Sequence, residues 1–122
     1  MTTKPVILIV DDETSNIEIM SCLLESEYEI CFAKSGARAL EIAGPIAPDL
    51  ILLDIMMPGV DGLEIARQLA GKPDAPCIIF VTAHDAHAVT AFENHAVDYL
   101  VKPIRKERLA LALSRARQFL LG

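Results

Sequence analysis

The sequence predicts an α/β domain of the doubly wound kind, a (βα)5 chain whose five parallel strands form one sheet covered by helices. Three observations carry that prediction. Apolar runs of strand length alternate five times with segments of helical period, the pattern of β/α units around a parallel sheet. Four of the five runs are almost wholly apolar, as strands covered on both faces must be. Each of those four ends in a polar residue capable of chemistry. Val6 to Val10 runs into Asp11-Asp12, Leu50 to Leu53 into Asp54, Cys77 to Val81 into Thr82, and Val97 to Val101 into Lys102-Pro103.

The elements follow in order. The first strand is Val6 to Val10. The first helix is expected near Ser15, where Ser15-Asn16-Ile17-Glu18 reads as a capping box, with Ile17, Met20, Leu23 and Leu24 as its inner stripe. The second strand, Glu29 to Ala33, is more polar and alternating, which suits a sheet edge. The second helix follows a Ser35 cap, runs through Ala39, Leu40 and Ile42, and is expected to stop at Gly44-Pro45. The third strand is Leu50 to Leu53. The third helix starts after Asp61, with Glu64 three residues on, and ends at Gly71 before Pro73. The fourth strand is Cys77 to Val81, followed by a short Ala-rich fourth helix capped by Asp85, from Ala86 to Asn94. The fifth strand is Val97 to Val101. The fifth helix, Lys106 to Leu120, repeats Leu109, Ala112, Leu113, Ala116 and Leu120 on one face. No repeat, linker or low-complexity tract interrupts the series, so one domain over residues 1–122 is expected.

Size and composition agree. A chain of 122 residues is long enough for one core and buries about 70% of its unfolded surface. At 52% hydrophobic and 23% charged it is a globular sequence rather than a disordered one. The longest apolar runs are strand-sized, far short of the roughly 20 residues a membrane span needs. Met1-Thr2-Thr3-Lys4-Pro5 has no apolar signal region, so a cytoplasmic protein is expected. Cys22, Cys31 and Cys77 lack metal-type spacing and sit in apolar surroundings, which predicts buried, reduced thiols. The net charge of −6 is uneven: residues 1–101 carry 5 basic and 16 acidic side chains, and residues 102–122 carry 6 basic and 1 acidic. An acidic body disfavours direct nucleic-acid binding by this domain. A solvated helix face and a partner-facing surface both account for the basic C-terminal segment.

In open parallel sheets ligands bind beyond the carboxyl ends of the strands, where strand order reverses. With the flavodoxin-like order 2-1-3-4-5, Asp11, Asp12 and Asp54 would share a small volume. Three adjacent carboxylates raise one another's pKa unless a cation intervenes. Mg2+ suits them, being a hard cation that takes a few carboxylates and keeps waters. A carboxylate can itself be a nucleophile and form an aspartyl phosphate, and Asp54, leaving the central strand, is the best placed. Lys102 offers a cation to phosphoryl oxygens and Thr82 a short hydroxyl donor. Phosphoryl transfer needs chiefly positioning and charge neutralisation, so the set is chemically sufficient.

These residues resemble, in order and spacing over nearly the whole chain, the receiver domains of two-component response regulators. The stretches that carry the resemblance are Ile9-Val10-Asp11-Asp12-Glu13, Asp49 to Gly62, Phe80-Val81-Thr82-Ala83, and Asp98-Tyr99-Leu100-Val101-Lys102-Pro103. The resemblance implies one receiver domain over 1–122 in which Asp54 is the phosphoacceptor, charged by a sensor histidine kinase or a phosphotransfer protein. It implies Asp11, Asp12, Asp54 and the Met56 backbone carbonyl as Mg2+ ligands, and Thr82 and Lys102 as the residues that bind the phosphoryl group. It also implies a cis peptide between Lys102 and Pro103 and an aromatic switch at Tyr99 that follows Thr82. A half-buried strand aromatic is the plainer reading of Tyr99, and surface histidines the plainer reading of His84, His87 and His95. In the family the positions two after the phosphoacceptor and two after the Thr tune dephosphorylation. Here they are Met56 and His84, neither of which offers an amide or carboxylate to orient water, so a persistent phosphoryl group is expected.

By the same resemblance the protein is a signalling switch and no turnover enzyme. Its output surface would be the fourth helix, fifth strand and fifth helix, with a homodimer across that face held by Arg105, Lys106, Arg108, Arg115 and Arg117. Residues Ala91 to Leu100 also resemble regulators that carry LytTR-type DNA-binding domains, which implies a C-terminal output domain beyond residue 122. The main rival is a Mg2+-dependent aspartyl-phosphate phosphatase or phosphotransferase. Its haloacid dehalogenase-like form needs a second Asp two residues after the nucleophile, and that position is Met56. A flavin binder on the same fold would want a hydroxyl-rich loop where Asp11-Asp12-Glu13 stands, and the chain has no Trp.

Overall fold

The apolar runs pair as their composition dictates. In the computed structural model, which describes residues 4–54, 56–57, 60–61, 64–65, 67–68, 76–82, 98–102 and 104–121, five runs form one sheet. They are β1 (Val6–Val10), β2 (Glu29–Ala33), β3 (Leu50–Asp54), β4 (Cys77–Thr82) and β5 (Asp98–Val101). The order is β2-β1-β3-β4-β5 and every neighbouring pair is parallel, as expected from the sequence. The polar, alternating β2 lies at one edge and β5 at the other. A ribbon of two short antiparallel strands, Met56–Met57 and Val60–Asp61, follows β3 directly.

Successive strand residues point to opposite faces, so each strand feeds two cores. On one face Leu8, Val10, Ile51, Leu53, Ile78 and Phe80 pack with Ala39 and Ala43 of α2 (Gly36–Ile46) and with Ile65. On the other, Ile7, Ile9, Leu50, Leu52, Ile79, Val81 and Leu100 pack against two helices. These are α1 (Thr14–Leu24), through Ile17, Met20 and Leu24, and the C-terminal helix (Lys106–Leu121), through Leu109, Ala112 and Ala116. Each fully buried Leu or Ile contributes about 1.5–3 kcal/mol. All five residues of β3 are buried, so the acid at its end is carried on the best-anchored strand of the sheet.

Three local expectations are corrected. Helix α1 starts at Thr14, with Glu13 at its N-cap and no side-chain cap bond, so the Ser15–Glu18 capping box does not form. The cause lies upstream: Asp11 Oδ1 accepts the Glu13 N–H at 2.9 Å, and Ile17 N–H then bonds the Glu13 carbonyl, which puts the N-cap at Glu13 rather than at Ser15. Helix α2 is capped by Ser35, whose hydroxyl accepts Arg38 N–H at 3.1 Å, but it runs past Gly44-Pro45 to Ile46. Pro45 in the last turn forgoes only its own N–H bond, and the chain leaves the helix at Ala47, in the left-handed region at φ 50°. Cys22 is exposed on α1, while Cys31 and Cys77 are partly buried, and all three thiols are free. Burial, then the charge of Glu29 for Cys31 and of Asp49 for Cys77, pushes those two thiols up.

The expected fourth helix, Pro58-Gly59, Gly71, Pro73, the three histidines and Pro103 lie outside the described residues. Of the third helix, residues 64–65 and 67–68 are helical.

Candidate functional site

Strand register brings the chemically capable residues to one edge. Val10 pairs with Leu53, Asp54 with Val81, and Thr82 with Val101. Asp11, Asp54, Thr82 and Lys102 therefore all stand at the carboxyl ends of adjacent strands, the first two across the point where strand order reverses.

The carboxylates are deeply placed. Asp11 is 0% exposed and Asp54 2%, whereas Asp12, next along the chain, is exposed. Taking one carboxylate oxygen from each, the three oxygens lie within 4.8 Å of one another. Lys102, its side chain 18% exposed, puts Nζ 3.1 Å from Asp54 Oδ2 and 3.2 Å from Asp11 Oδ2. The first contact is a hydrogen bond. The second is an ion pair without hydrogen-bond alignment, and among the described residues nothing donates a hydrogen bond to the buried Asp11 Oδ2. Burial alone would lower the Lys102 ammonium, but the hydrogen bond and charge of Asp54, followed by the charge of Asp11, raise it above its ordinary value. The lysine is a fixed cation here.

Among the described residues, three carboxylates against one ammonium leave a local charge of −2. That surplus, together with the unaccepted lone pairs of the buried Asp11 Oδ2, fits a divalent cation bound by oxygen. The cluster of Asp11, Asp12 and Asp54 could hold one. Met56 enters the ribbon two residues after Asp54, and Thr82 ends β4; both are placed by their backbone. Tyr99 is half-buried in β5 and packs beside the cluster that holds Leu53 and Phe80. Pro103, and with it the expected cis peptide, lies outside the described residues.

A second charged group went unread in the sequence. Asp98 opens β5 and is 0% exposed. Arg108 Nη2 donates to its Oδ1 at 2.7 Å and Arg108 Nη1 to its Oδ2 at 3.0 Å, while Arg115 Nη1 adds a bond to Oδ2 at 3.0 Å. Burial alone would raise this carboxyl, but the bonds from Arg108 and the Tyr99 N–H, with the charges of both arginines, carry it below the usual range. Arg117 is also engaged: Nε and Nη2 donate to Tyr28 Oη at 3.0 and 2.8 Å, and Nη2 reaches Glu27 Oε2 at 3.3 Å. The signal available in the sequence was an acid at the head of an apolar strand, which needs a cation once buried.

Fold and site together define a class, a doubly wound α/β domain with an acidic, lysine-bearing crevice at the carboxyl edge of its sheet. Comparison with known proteins supplies the family. The profile of the response regulator receiver domain matches residues 7–114, and the chain belongs to that family, the receivers of two-component systems. The Positive alginate biosynthesis regulatory protein of Pseudomonas aeruginosa is 45% identical over 114 residues, covering 90% of this chain and 46% of that protein. The Transcriptional regulatory protein BtsR of Salmonella typhi is 44% identical over 115 residues, covering 92% and 48%. A response regulator receiver domain protein of Clostridium thermocellum superposes with a TM-score of 0.84 at 29% identity, over 97% of this chain and 99% of that one. The chain spans about half the length of the curated relatives it matches, and both carry the names of regulators rather than turnover enzymes. Among the described residues no helix is long and apolar enough to cross a membrane.

Proposed function

We propose that the chain is a single receiver domain over residues 1–122 that accepts a phosphoryl group on Asp54 and signals through the change. One observation carries the reading: a buried Asp54 on the central strand, hydrogen-bonded by Lys102 at 3.1 Å and flanked by Asp11 and Asp12. The donor is a phosphohistidine of a sensor kinase or phosphotransfer protein. An Asp54 oxygen gives an electron pair to phosphorus, and the phosphorus–nitrogen bond breaks with its pair retained by the imidazole. The imidazole leaves neutral, keeping the proton on its other nitrogen. Lys102 stays protonated throughout and neutralises charge on the phosphoryl oxygens, and the Thr82 hydroxyl donates to one of them.

Asp11, Asp12, Asp54 and the Met56 carbonyl are the residues that would hold Mg2+. When bound, the ion neutralises carboxylates and phosphoryl oxygens that would otherwise repel one another. Tyr99 is read as the aromatic group that follows the phosphorylated state, shifting the population of two conformations. The output is transcriptional and is carried by sequence outside this chain, a reading supported by relatives about twice its length, one of them named a transcriptional regulatory protein. The working compartment is the cytoplasm. Intact-mass analysis after incubation with acetyl phosphate tests the chemistry. The wild-type protein gains one phosphoryl group with Mg2+ and none with chelator, and Asp54→Ala gains none; a phosphoryl group retained on Asp54→Ala sinks the reading.

A further inference from the structure

The Asp98 carboxylate is wholly buried and lies outside the site described above, at the head of the edge strand β5. Both of its oxygens are taken. Oδ1 accepts the Tyr99 N–H at 2.8 Å and Arg108 Nη2 at 2.7 Å, and Oδ2 accepts Arg108 Nη1 and Arg115 Nη1. A two-pronged guanidinium–carboxylate pair is among the strongest and most directional contacts available to side chains. The pair does not end at Asp98, because Arg108 Nη2 also donates to the Tyr99 carbonyl at 2.9 Å. The guanidinium carbon lies 5.8 Å from the centroid of the Tyr99 ring, within cation–π range.

The geometry of the strand makes this unusual. Alternation sends Leu100 toward the layer of the C-terminal helix and Tyr99 toward the opposite layer. Arg108 belongs to the first turn of that helix, yet it meets the Tyr99 carbonyl and ring. It reaches around the edge of the sheet. The N–H of Tyr99 (through Asp98), its carbonyl and its ring all converge on one Asp–Arg pair. Tyr99 cannot shift without disturbing the fork, and a planar fork with fixed donor directions transmits the disturbance to the helix that carries it.

We propose that Arg108 is a positioning residue that couples Tyr99 to the C-terminal helix, so that the state of the phosphoryl site is passed around the sheet edge. The proposal rests on the reading of Asp54 as phosphoacceptor. Arg108→Lys keeps a cation beside Asp98, which retains Arg115 and the Tyr99 N–H, but it removes the fork and the planar group over the ring. The test uses the chain labelled with 3-fluorotyrosine, whose two tyrosines are Tyr28 and Tyr99, with Tyr28→Phe assigning the fluorine signals. Amide hydrogen exchange over residues 106–121 is followed by mass spectrometry, with and without acetyl phosphate and Mg2+.

In the wild-type protein phosphorylation shifts the Tyr99 resonance and changes helix exchange by about fivefold or more, the low end of allosteric couplings. In Arg108→Lys the phosphoryl group is still gained and Tyr99 still responds, while helix exchange changes less than twofold. Tyr99→Leu, which leaves the Asp98 pairing intact, uncouples the helix in the same way, and Tyr99→Phe restores the response. An equal helix response in Arg108→Lys and the wild-type protein overturns the proposal, as does a wild-type helix that ignores phosphorylation. Failure of the wild-type protein to gain a phosphoryl group is a different result, and it removes the Asp54 reading along with the coupling built on it.

Discussion

Lys102 Nζ donates to Asp54 Oδ2 across 3.1 Å, joining the ends of two strands that are not neighbours in the sheet. Between them lies β4, so the lysine spans one strand to reach its partner and meets Asp11 beyond it. Among the described residues, this ammonium is the cation that faces both buried carboxylates. Removing one partner of a buried ion pair costs about 3–5 kcal/mol because the other charge is left uncompensated. Lys102 is not fully buried, so the low end applies.

Lys102→Met is therefore expected to lose about 3 kcal/mol of stability in chelator. Mg2+ should restore a substantial part of it, since an ion bound to the same oxygens replaces the missing charge and stabilises by mass action. Urea unfolding of both proteins at matched Mg2+ concentrations reads the effect. If the deficit is the same with and without Mg2+, the ion does not occupy the Asp11–Asp12–Asp54 cluster.

Asp98 makes a pH prediction. Its folded pKa lies below the ordinary value, so its contribution to stability is fully present above the unfolded pKa of about 3.9. That contribution is lost as pH falls through the depressed folded value. The stability difference between the wild-type protein and Asp98→Asn should be constant from neutral pH down to about pH 5. Below about pH 4 it should shrink. Taking the difference cancels the other carboxylates. A difference that stays flat to pH 2 would show that the Arg108 and Arg115 contacts do not favour the ionised form.

The lifetime of the phosphoryl group supplies a third expectation. Met56 has no group to orient an attacking water, so hydrolysis of the Asp54 phosphoryl should be slow. Met56→Glu places a carboxylate two residues past Asp54 and should shorten the half-life, by about tenfold or more if it acts as a positioned base. Loss of the phosphoryl group is followed by intact mass after removal of acetyl phosphate. Equal half-lives would show that position 56 has no part in setting the rate.

Much of this was legible in the sequence because it depends on patterns that topology enforces. An apolar run ending in Asp54, another in Asp11-Asp12 and a third in Lys102 need only the parallel order to meet at one edge. What escaped depends on competition among nearby groups. The Ser15–Glu18 motif is a sound helix start, but the Asp11 carboxylate takes the Glu13 N–H first. Pro45 would stop a helix in mid-course, yet in a last turn it forgoes only its own N–H bond. The Asp98–Arg108 pair joins a strand to the helix after it, and the reach of Arg108 to the Tyr99 ring passes around a strand edge, which no spacing rule encodes.

The basic C-terminal segment yields the last prediction, because its cations are not equivalent. Arg108 and Arg115 are committed to Asp98, and Arg117 to Tyr28 and Glu27. Arg105 and Lys106 are exposed and form no ion pair among the described residues. If a homodimer forms across this face through charge, Arg105 and Lys106 are the cations free to reach the partner. Arg105→Glu with Lys106→Glu should weaken phosphorylation-dependent association and abolish its salt sensitivity, with stability changed by no more than about 0.5 kcal/mol per site. Arg115→Glu should instead act on the fold, setting a carboxylate beside the buried Asp98 at a cost of more than about 1 kcal/mol. Sedimentation at two ionic strengths, paired with urea unfolding, separates the two effects. Association left intact by the 105/106 reversal and lost in a stable Arg115→Glu would reverse the assignment, and would mean that the Asp98 clamp opens when the dimer forms.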